Sequence, residues 1–306
     1  MDGNIIDIRR FTLHDGYGIR STVFLKGCGL RCAWCHNPEG IENAIGLWYL
    51  PGQCIHCRSC LGACPENALS AGDGDQPSIL IDRRRCTLCG RCVDACPTTA
   101  LSFDGRRLSG EAVAEILLRD REFYLQSGGG ITISGGDPLI QHRFAAEILG
   151  RCRAAGVHTA IETCLQGSWD IIETLLPLVD LFIADLKLAD PRLHREYTGQ
   201  DNSLIRENYH RLSGLAPDML TRIPLIPRVT ALPENIRALA RFIGDCRPGG
   251  RVELINFNPL APNKYRLMNR DQEFFRGMAP LGAEELAKLQ AILEAEGLTT
   301  VREHRT

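Results

Sequence analysis

Nowhere in the 306 residues is there a run of 18 apolar residues free of charge, and the first twenty, MDGNIIDIRRFTLHDGYGIR, hold no apolar leader core. A bilayer-spanning helix needs about 20 such residues, so the expectation is a chain that neither enters a membrane nor is secreted. Charge of one sign is missing too. The 35 basic residues against 37 acidic leave −2, and the arginines that dominate the basic set are scattered. Nucleic acid is therefore not an expected partner, because its phosphates require a clustered basic face. No G-x-G-x-x-G or Walker loop opens a helix, so Gly128–Gly130 reads as a turn before a strand rather than a phosphate cradle. With 44% hydrophobic and 24% charged residues, disorder, collagen and coiled coil are excluded as well. The length allows one large domain, or one with a small insert.

Cysteine is abundant, and its distribution is uneven: eleven of the fourteen lie between Cys28 and Cys96. Such clustering in a long chain points to metal rather than to disulfides. It divides the sequence into an N-terminal part, 1–49, a compact insert at 50–103, and an almost cysteine-free remainder, 104–306. The insert is a duplication. Cys54-x-x-Cys57-x-x-Cys60-x-x-x-Cys64-Pro65 recurs 32 residues later as Cys86-x-x-Cys89-x-x-Cys92-x-x-x-Cys96-Pro97. This is the bacterial two-cluster ferredoxin spacing, in which the fourth cysteine of each run ligates the other cluster. One [4Fe–4S] cluster is then expected on Cys54, Cys57, Cys60 and Cys96, and the other on Cys86, Cys89, Cys92 and Cys64. Zinc knuckles are the alternative chemistry, and a structural staple or docking surface the alternative to an electron relay.

Outside the insert, short β-rich runs alternate with helical patterns. The predicted strands are 22–26, 131–134, 157–163, 181–187, 220–226 and 251–257, and the predicted helices 109–126, 141–155, 168–176, 203–212, 233–246 and 283–296. Repeated strand-then-helix units imply a parallel α/β architecture, and six strands make a partial, open (β/α)6 barrel with its chemistry at the strands' C-terminal ends.

Directly after the first of these strands stands Cys28-x-x-x-Cys32-x-x-Cys35, within KGCGLRCAWCHNPEG. A cubane cluster normally takes four cysteines, so three leave one iron with an open coordination position. The competing reading is a zinc site with His36 as fourth ligand. Ser134-Gly135-Gly136-Asp137-Pro138 follows the next strand, with Asp137 either a carboxylate for a ligand ammonium or a helix cap. Glu162-Thr163 and Asp185-Leu186-Lys187 follow the third and fourth, and Arg222 lies in the fifth, within LTRIPLIP. Period-two alternation puts Asp185 and Lys187 on one face. A rim salt bridge is the plain alternative for that pair. The isolated cysteines Cys152, Cys164 and Cys246 read as small buried hydrophobes, and His14, His158, His194 and His210 as solvated or core residues.

The CxxxCxφC loop, with Trp34 at φ, resembles the radical S-adenosylmethionine (SAM) superfamily. DGYGIRSTVFLKGC at 15–28, WCHNPE at 34–39, GGGITISGGDPL at 128–139, DLK at 185–187 and YTG at 197–199 narrow the resemblance, over nearly the whole chain, to the glycyl-radical-enzyme activating enzymes. Within that family, the subgroup carrying a two-[4Fe–4S] ferredoxin-like insert fits.

The resemblance implies a reduced cluster on Cys28, Cys32 and Cys35 that cleaves SAM to a 5′-deoxyadenosyl radical, which abstracts hydrogen from a glycine of a large partner enzyme. It implies SAM contacts from Trp34, Cys35, His36, Gly135, Gly136, Asp137 in place of the family's Glu, Glu162, Thr163, Asp185, Lys187 and Arg222. Asn258 stands in LINFNPL where the family often has histidine. A monovalent cation beside Glu162 and Asp185 is implied as well, with three [4Fe–4S] clusters in all and a flavodoxin- or ferredoxin-type electron donor in an anaerobic cytoplasm. The insert disfavours pyruvate formate-lyase as partner and favours a lyase or dehydratase breaking C–O, C–N or C–S bonds, such as diol dehydratase, choline trimethylamine-lyase or isethionate sulfite-lyase. A radical SAM enzyme for a small molecule, or a non-catalytic electron-transfer protein, are the competing functions.

Overall fold

The computed structural model describes residues 1–73, 78–260, 264–265, 267–268, 274 and 277–301. In chain order the strands are β1 (Asp2–Thr12), β2 (Arg20–Leu25), β3 (Leu47–Tyr49), β4 (Leu69–Ala71), β5 (Ile79–Ile81), β6 (Leu101–Phe103), β7 (Arg106–Ser109), β8 (Gly130–Gly135), β9 (His158–Thr163), β10 (Leu181–Asp185), β11 (Met219–Leu225), β12 (Arg251–Asn256) and β13 (Thr299–Val301). The helices are α1 (Ser59–Ala63), α2 (Arg91–Asp94), α3 (Gly110–Leu118), α4 (Arg121–Ser127), α5 (His142–Ala154), α6 (Trp169–Leu175), α7 (Pro191–Thr198), α8 (Ser203–Leu215), α9 (Pro233–Cys246) and α10 (Ala283–Ala295).

One sheet runs β13-β12-β11-β10-β9-β8-β2-β1-β7, in which β2, β8, β9, β10, β11 and β12 are the six expected parallel strands in consecutive order. Each crossover therefore moves one position the same way, giving the expected partial (β/α)6 barrel. The sequence reading missed the flanks: antiparallel β1 and β7 on one side and parallel β13 on the other.

Strand alternation separates two cores. Ile161, Phe182, Ala184, Met219 and Ile223 face the helices with Ile148, Ile172 and Tyr209. Ala160, Leu181, Ile183 and Leu220 form a second, inner cluster with Tyr17 and Val301. The expected helix 109–126 is broken into α3 and α4. At the break Asp120 turns inward, 1% exposed, to accept a hydrogen bond from Arg10 Nε at 2.6 Å. An additional helix, α7, starts at Asp190-Pro191, where the Asp190 carboxylate caps the amides of Arg192 and Leu193.

The insert leaves and re-enters the barrel through the antiparallel pair β3 and β6, with Leu47 opposite Phe103 and Tyr49 opposite Leu101. Its root is pinned by Lys26, wholly buried, whose ammonium donates to Asp104 at 3.0 Å and to the Glu39 carbonyl at 2.5 Å. The same Asp104 carboxylate accepts the Gly46 amide at 2.6 Å. The sequence duplication is also a duplication of backbone. Left-handed residues His56, Arg58 and Asn67 recur 32 positions later as Leu88, Gly90 and Thr99. Non-glycine residues in that region cost energy, and they fall in the cysteine loops.

Candidate active site

The cysteine loop at the end of β2 is held from both sides. Gly27 and Cys28 donate to the carbonyls of Gly40 and Ile41, and Arg31 and Ala33 donate to those of Thr198 and Tyr197. The YTG segment is thus a clamp at the end of α7, with Gly199 in the left-handed cap position at φ 84°. Gly136 packs beneath the loop: a Cβ there would stand 2.2 Å from the Gly27 carbonyl oxygen and 2.4 Å from that of Gly40. Only glycine fits so close an approach.

A cavity of about 330 Å³ opens above the C-terminal ends of the strands. Cys28, Cys32 and Cys35 line it, as do Trp34, His36, Gly135, Gly136, Glu162, Thr163, Asp185, Lys187 and Arg222. The Leu30 amide donates to Cys28 Sγ at 3.4 Å, and burial pushes the Cys32 thiol up to about 11 and the Cys35 thiol to about 12. Iron binding there must displace protons. Three thiols lining one cavity, a hydrogen-bond donor to one of them and a side-chain-free glycine pair in the same lining are a donor set suited to a [4Fe–4S] cluster with an open iron.

The polar wall is built by alternation along β9 to β12. Asp185 pairs in register with Arg222, and Arg222 with Glu253. Arg222, 6% exposed, donates to Glu253 at 2.6 Å, to Glu162 at 2.5 Å and to the His14 carbonyl. Its guanidinium edges are therefore taken up by the protein. Glu162 also accepts from Ser134 at 2.5 Å. Burial raises the Glu162 carboxyl, but Arg222 and Ser134 outweigh it and the net direction is down. Lys187 lies 3.1 Å from Asp185. Burial works against the ammonium, yet Asp185 and the nearby thiols hold it firmly protonated.

Two expected contacts stand elsewhere. Asp137 is 1% exposed and does not line the cavity. Its carboxylate caps the Leu139 amide at 2.9 Å and accepts from Thr163 Oγ at 3.0 Å and from the Cys164 amide at 2.9 Å. The capping alternative describes it, because the shorter side chain ends at the turn below the cavity floor. Asn258 is exposed and folds back to the Leu260 amide at 3.0 Å. Its neighbours Asn256 and Phe257 reach the cavity instead.

Among the cavity residues that escaped the sequence reading, three bear on its chemistry. Asp15 accepts from Thr22 at 2.5 Å, and burial together with repulsion from Glu162 raises its carboxyl. Its signal was the DGYG turn. His14 supplies its carbonyl. Cys164, read as structural, lines the cavity beside Cys28. Cys152 is wholly buried in the outer core, and Cys246 Sγ lies 3.6 Å from His210 Nδ1, so neither reaches the site.

In the insert, one cavity of about 20 Å³ is lined by Cys54, Cys57, Cys60 and Cys96, and one of about 10 Å³ by Cys64, Cys86, Cys89 and Cys92. The fourth cysteine of each run thus sits with the first three of the other. Amides of His56 and Ala68 point at Cys54 and Cys64 sulfurs at 3.4 and 3.3 Å. These sets suit closed four-thiolate clusters.

Among the described residues no helix is long and apolar enough to cross a membrane. Residues 53–100 match the family described as a 4Fe-4S dicluster domain, and a second match of that description spans 78–164. The fold is similar to the crystal structure of Streptococcus suis SuiB bound to precursor peptide SuiA, with TM-score 0.51 at 13% identity over 90% of this chain and 46% of that one. Sequence relatives are far more alike. The chain is 39% identical to the (2S)-3-sulfopropanediol dehydratase activating enzyme of Klebsiella oxytoca over 86% of this chain and 84% of that protein. It is 38% identical to the benzylsuccinate synthase activating enzyme of Thauera aromatica over 96% and 90%. It is 36% identical to the isethionate sulfite-lyase activating enzyme of Desulfovibrio desulfuricans over 94% and 90%. Likeness of this depth, spanning both barrel and insert, places the chain among the glycyl-radical-enzyme activating enzymes, radical SAM enzymes of the subgroup with a ferredoxin-like insert.

Proposed function

We propose that Cys28, Cys32 and Cys35 hold the catalytic cluster and that the glycyl radical partner is a dehydratase or lyase breaking a C–O, C–N or C–S bond rather than pyruvate formate-lyase. The observation that carries the assignment is the convergence of three thiols, Lys187 and the Gly135-Gly136 turn on one cavity. A reduced [4Fe–4S] cluster held there by Cys28, Cys32 and Cys35 would supply the electron for cleavage of SAM to methionine and a 5′-deoxyadenosyl radical able to take a hydrogen atom from the partner's glycine.

The chain's residues orient and shield. Lys187 faces the SAM carboxylate, and Gly135 and Thr163 offer backbone to its ammonium, since Asp137 is withdrawn. Trp34, buried with Tyr197 and Phe274, keeps water from the loop. Arg222 positions Glu162 rather than gripping SAM directly. A monovalent cation beside Glu162 and Asp185 belongs to the same reading, supported by Asp15 on the same wall.

Three [4Fe–4S] clusters complete the reading, in an anaerobic cytoplasm with a flavodoxin- or ferredoxin-type donor. Along the β3–β6 ladder, Tyr49 and Leu101 line the Cys54 set and Leu47 and Phe103 the Cys86 set, next to the Gly46–Asp104 root. Electrons then enter at the Cys54 set and leave toward the barrel from the Cys86 set.

The similarity to the benzylsuccinate synthase activator supports a second partner class, a synthase rather than a lyase or dehydratase. Anaerobic incubation with SAM, reductant and each purified partner in turn, read by electron paramagnetic resonance, tests both. A glycyl radical on a dehydratase or lyase is expected, and radical formation only on pyruvate formate-lyase overturns the assignment.

A further inference from the structure

Lys264, in the segment after β12, joins the segment that follows β2: its ammonium donates to Asn37 Oδ1 at 2.8 Å and to Glu39 Oε1 at 2.6 Å. β2 and β12 are the first and last of the six barrel strands, so this contact ties the two ends of the array together at the mouth. It is anchored on both sides. Tyr265, next to the lysine, is buried with Trp34 and Phe257. Glu39 is 3% exposed, and its carbonyl accepts from Lys26 at 2.5 Å.

Asn37 is the informative partner. It lines the cavity and precedes the short helical turn Pro38–Gly40, yet its side chain caps no amide of that turn. An ammonium has donors only, so it takes the amide oxygen of Asn37 and leaves both N–H groups of that side chain facing away from the lysine. Without such a partner an Asn amide can turn either end outward. Lys264 itself does not line the cavity, so it acts on Asn37 from behind. Resting on the reading that this cavity takes SAM, we propose that Lys264 is a positioning residue for SAM binding, holding Asn37 with its N–H groups toward the cavity as donors to the bound SAM. Its role lies in binding, and no bond-making step passes through it.

The test uses the reconstituted full chain, with SAM affinity measured on the oxidised protein and KM and kcat for 5′-deoxyadenosine measured under dithionite. Lys264→Met alone would strand the buried Glu39 carboxylate, whose other oxygen makes no hydrogen bond among the described residues. The lysine is therefore removed as Lys264→Met together with Glu39→Gln. This pair is expected to weaken SAM binding and raise KM about tenfold, the worth of about one hydrogen bond, with kcat and iron per chain unchanged. Asn37→Ala should show the same loss, and adding the Met–Gln pair to it should cost nothing further, because the lysine acts through Asn37. Lys264→Arg, which keeps donors for both oxygens, should bind SAM as the unaltered chain does. Unaltered SAM affinity in the Met–Gln pair or in Asn37→Ala overturns the inference. So do additive losses when the changes are combined, a Lys264→Arg variant no better than the pair, or a fall in kcat with KM unmoved. If the unaltered, iron-loaded chain neither binds nor cleaves SAM, the SAM reading of the cavity falls and takes the inference with it.

Discussion

The barrel mouth and the insert use the same element, cysteine in short spaced runs, to opposite ends. At the mouth three thiols border about 330 Å³ shared with carboxylates, a lysine and an arginine. In the insert, each set of four thiols encloses only about 10 to 20 Å³ among Leu, Ile, Ala and Phe side chains. Three ligands beside room and charge leave iron a position for a ligand to react at. Four thiols in a tight, mostly apolar shell would leave none, which suits electron transfer or a structural role. Spacing alone separates the two, and the surroundings agree: several charged residues border the larger cavity, whereas each small one has a single charged neighbour, Arg58 or Glu66, among mostly apolar side chains.

The largest expected effect comes from removing a ligand at the mouth. Cys32→Ala should eliminate 5′-deoxyadenosine formation with dithionite while iron falls from about twelve to about eight per chain, the insert clusters surviving. Retained SAM cleavage would erase the distinction between the two regions. Cys64→Ala sharpens it from the other side. Although Cys64 lies in the first run, Mössbauer spectra and iron analysis should show loss of the cluster on Cys86, Cys89 and Cys92, with dithionite-driven SAM cleavage persisting.

Next comes stability. Arg222→Met leaves Glu162 and Glu253 buried without their cation, and chemical denaturation should show a loss of about 3–5 kcal/mol, the usual consequence of breaking one side of a buried ion pair. The smallest effect concerns the clamp on the cysteine loop. Amides of Leu193 and Arg192 hold the Asp190 carboxyl below its ordinary 3.8. A lowered folded-state value means a stabilising contribution present above 3.8 and lost as pH falls through the folded value. Asp190→Ala should therefore lower Tm at pH 7, and the gap between variant and unaltered chain should close at the acid end of that range.

Much of this was legible in the sequence, because the strongest signals are local. Parallel strands buried on both faces announce themselves as apolar β-branched runs, and the cysteine spacings define ligand sets directly. The strands missed, β1, β7 and β13, are edge or mixed-polarity segments; β7 and β13 pair with strands distant in sequence, and β1, though it pairs with the adjacent β2, has a largely polar outer half. Asp137 and Asn258 stand off the cavity for a related reason. Motif position fixes which loop a residue occupies but not whether its side chain points into the cavity or back to its own backbone, as Asn258 does toward Leu260. Cys164 and Asp15 had no spacing to advertise them. Their roles arise from strand neighbours, β9 against β8 and the DGYG turn against Arg222, which only the folded sheet brings together.

The most direct measurement is anaerobic reconstitution with iron and sulfide, reduction by dithionite, addition of SAM, and quantification of 5′-deoxyadenosine beside iron per chain. About twelve irons with 5′-deoxyadenosine formed is the predicted result. A full complement of iron without SAM cleavage, or zinc in the place of iron, would contradict the account.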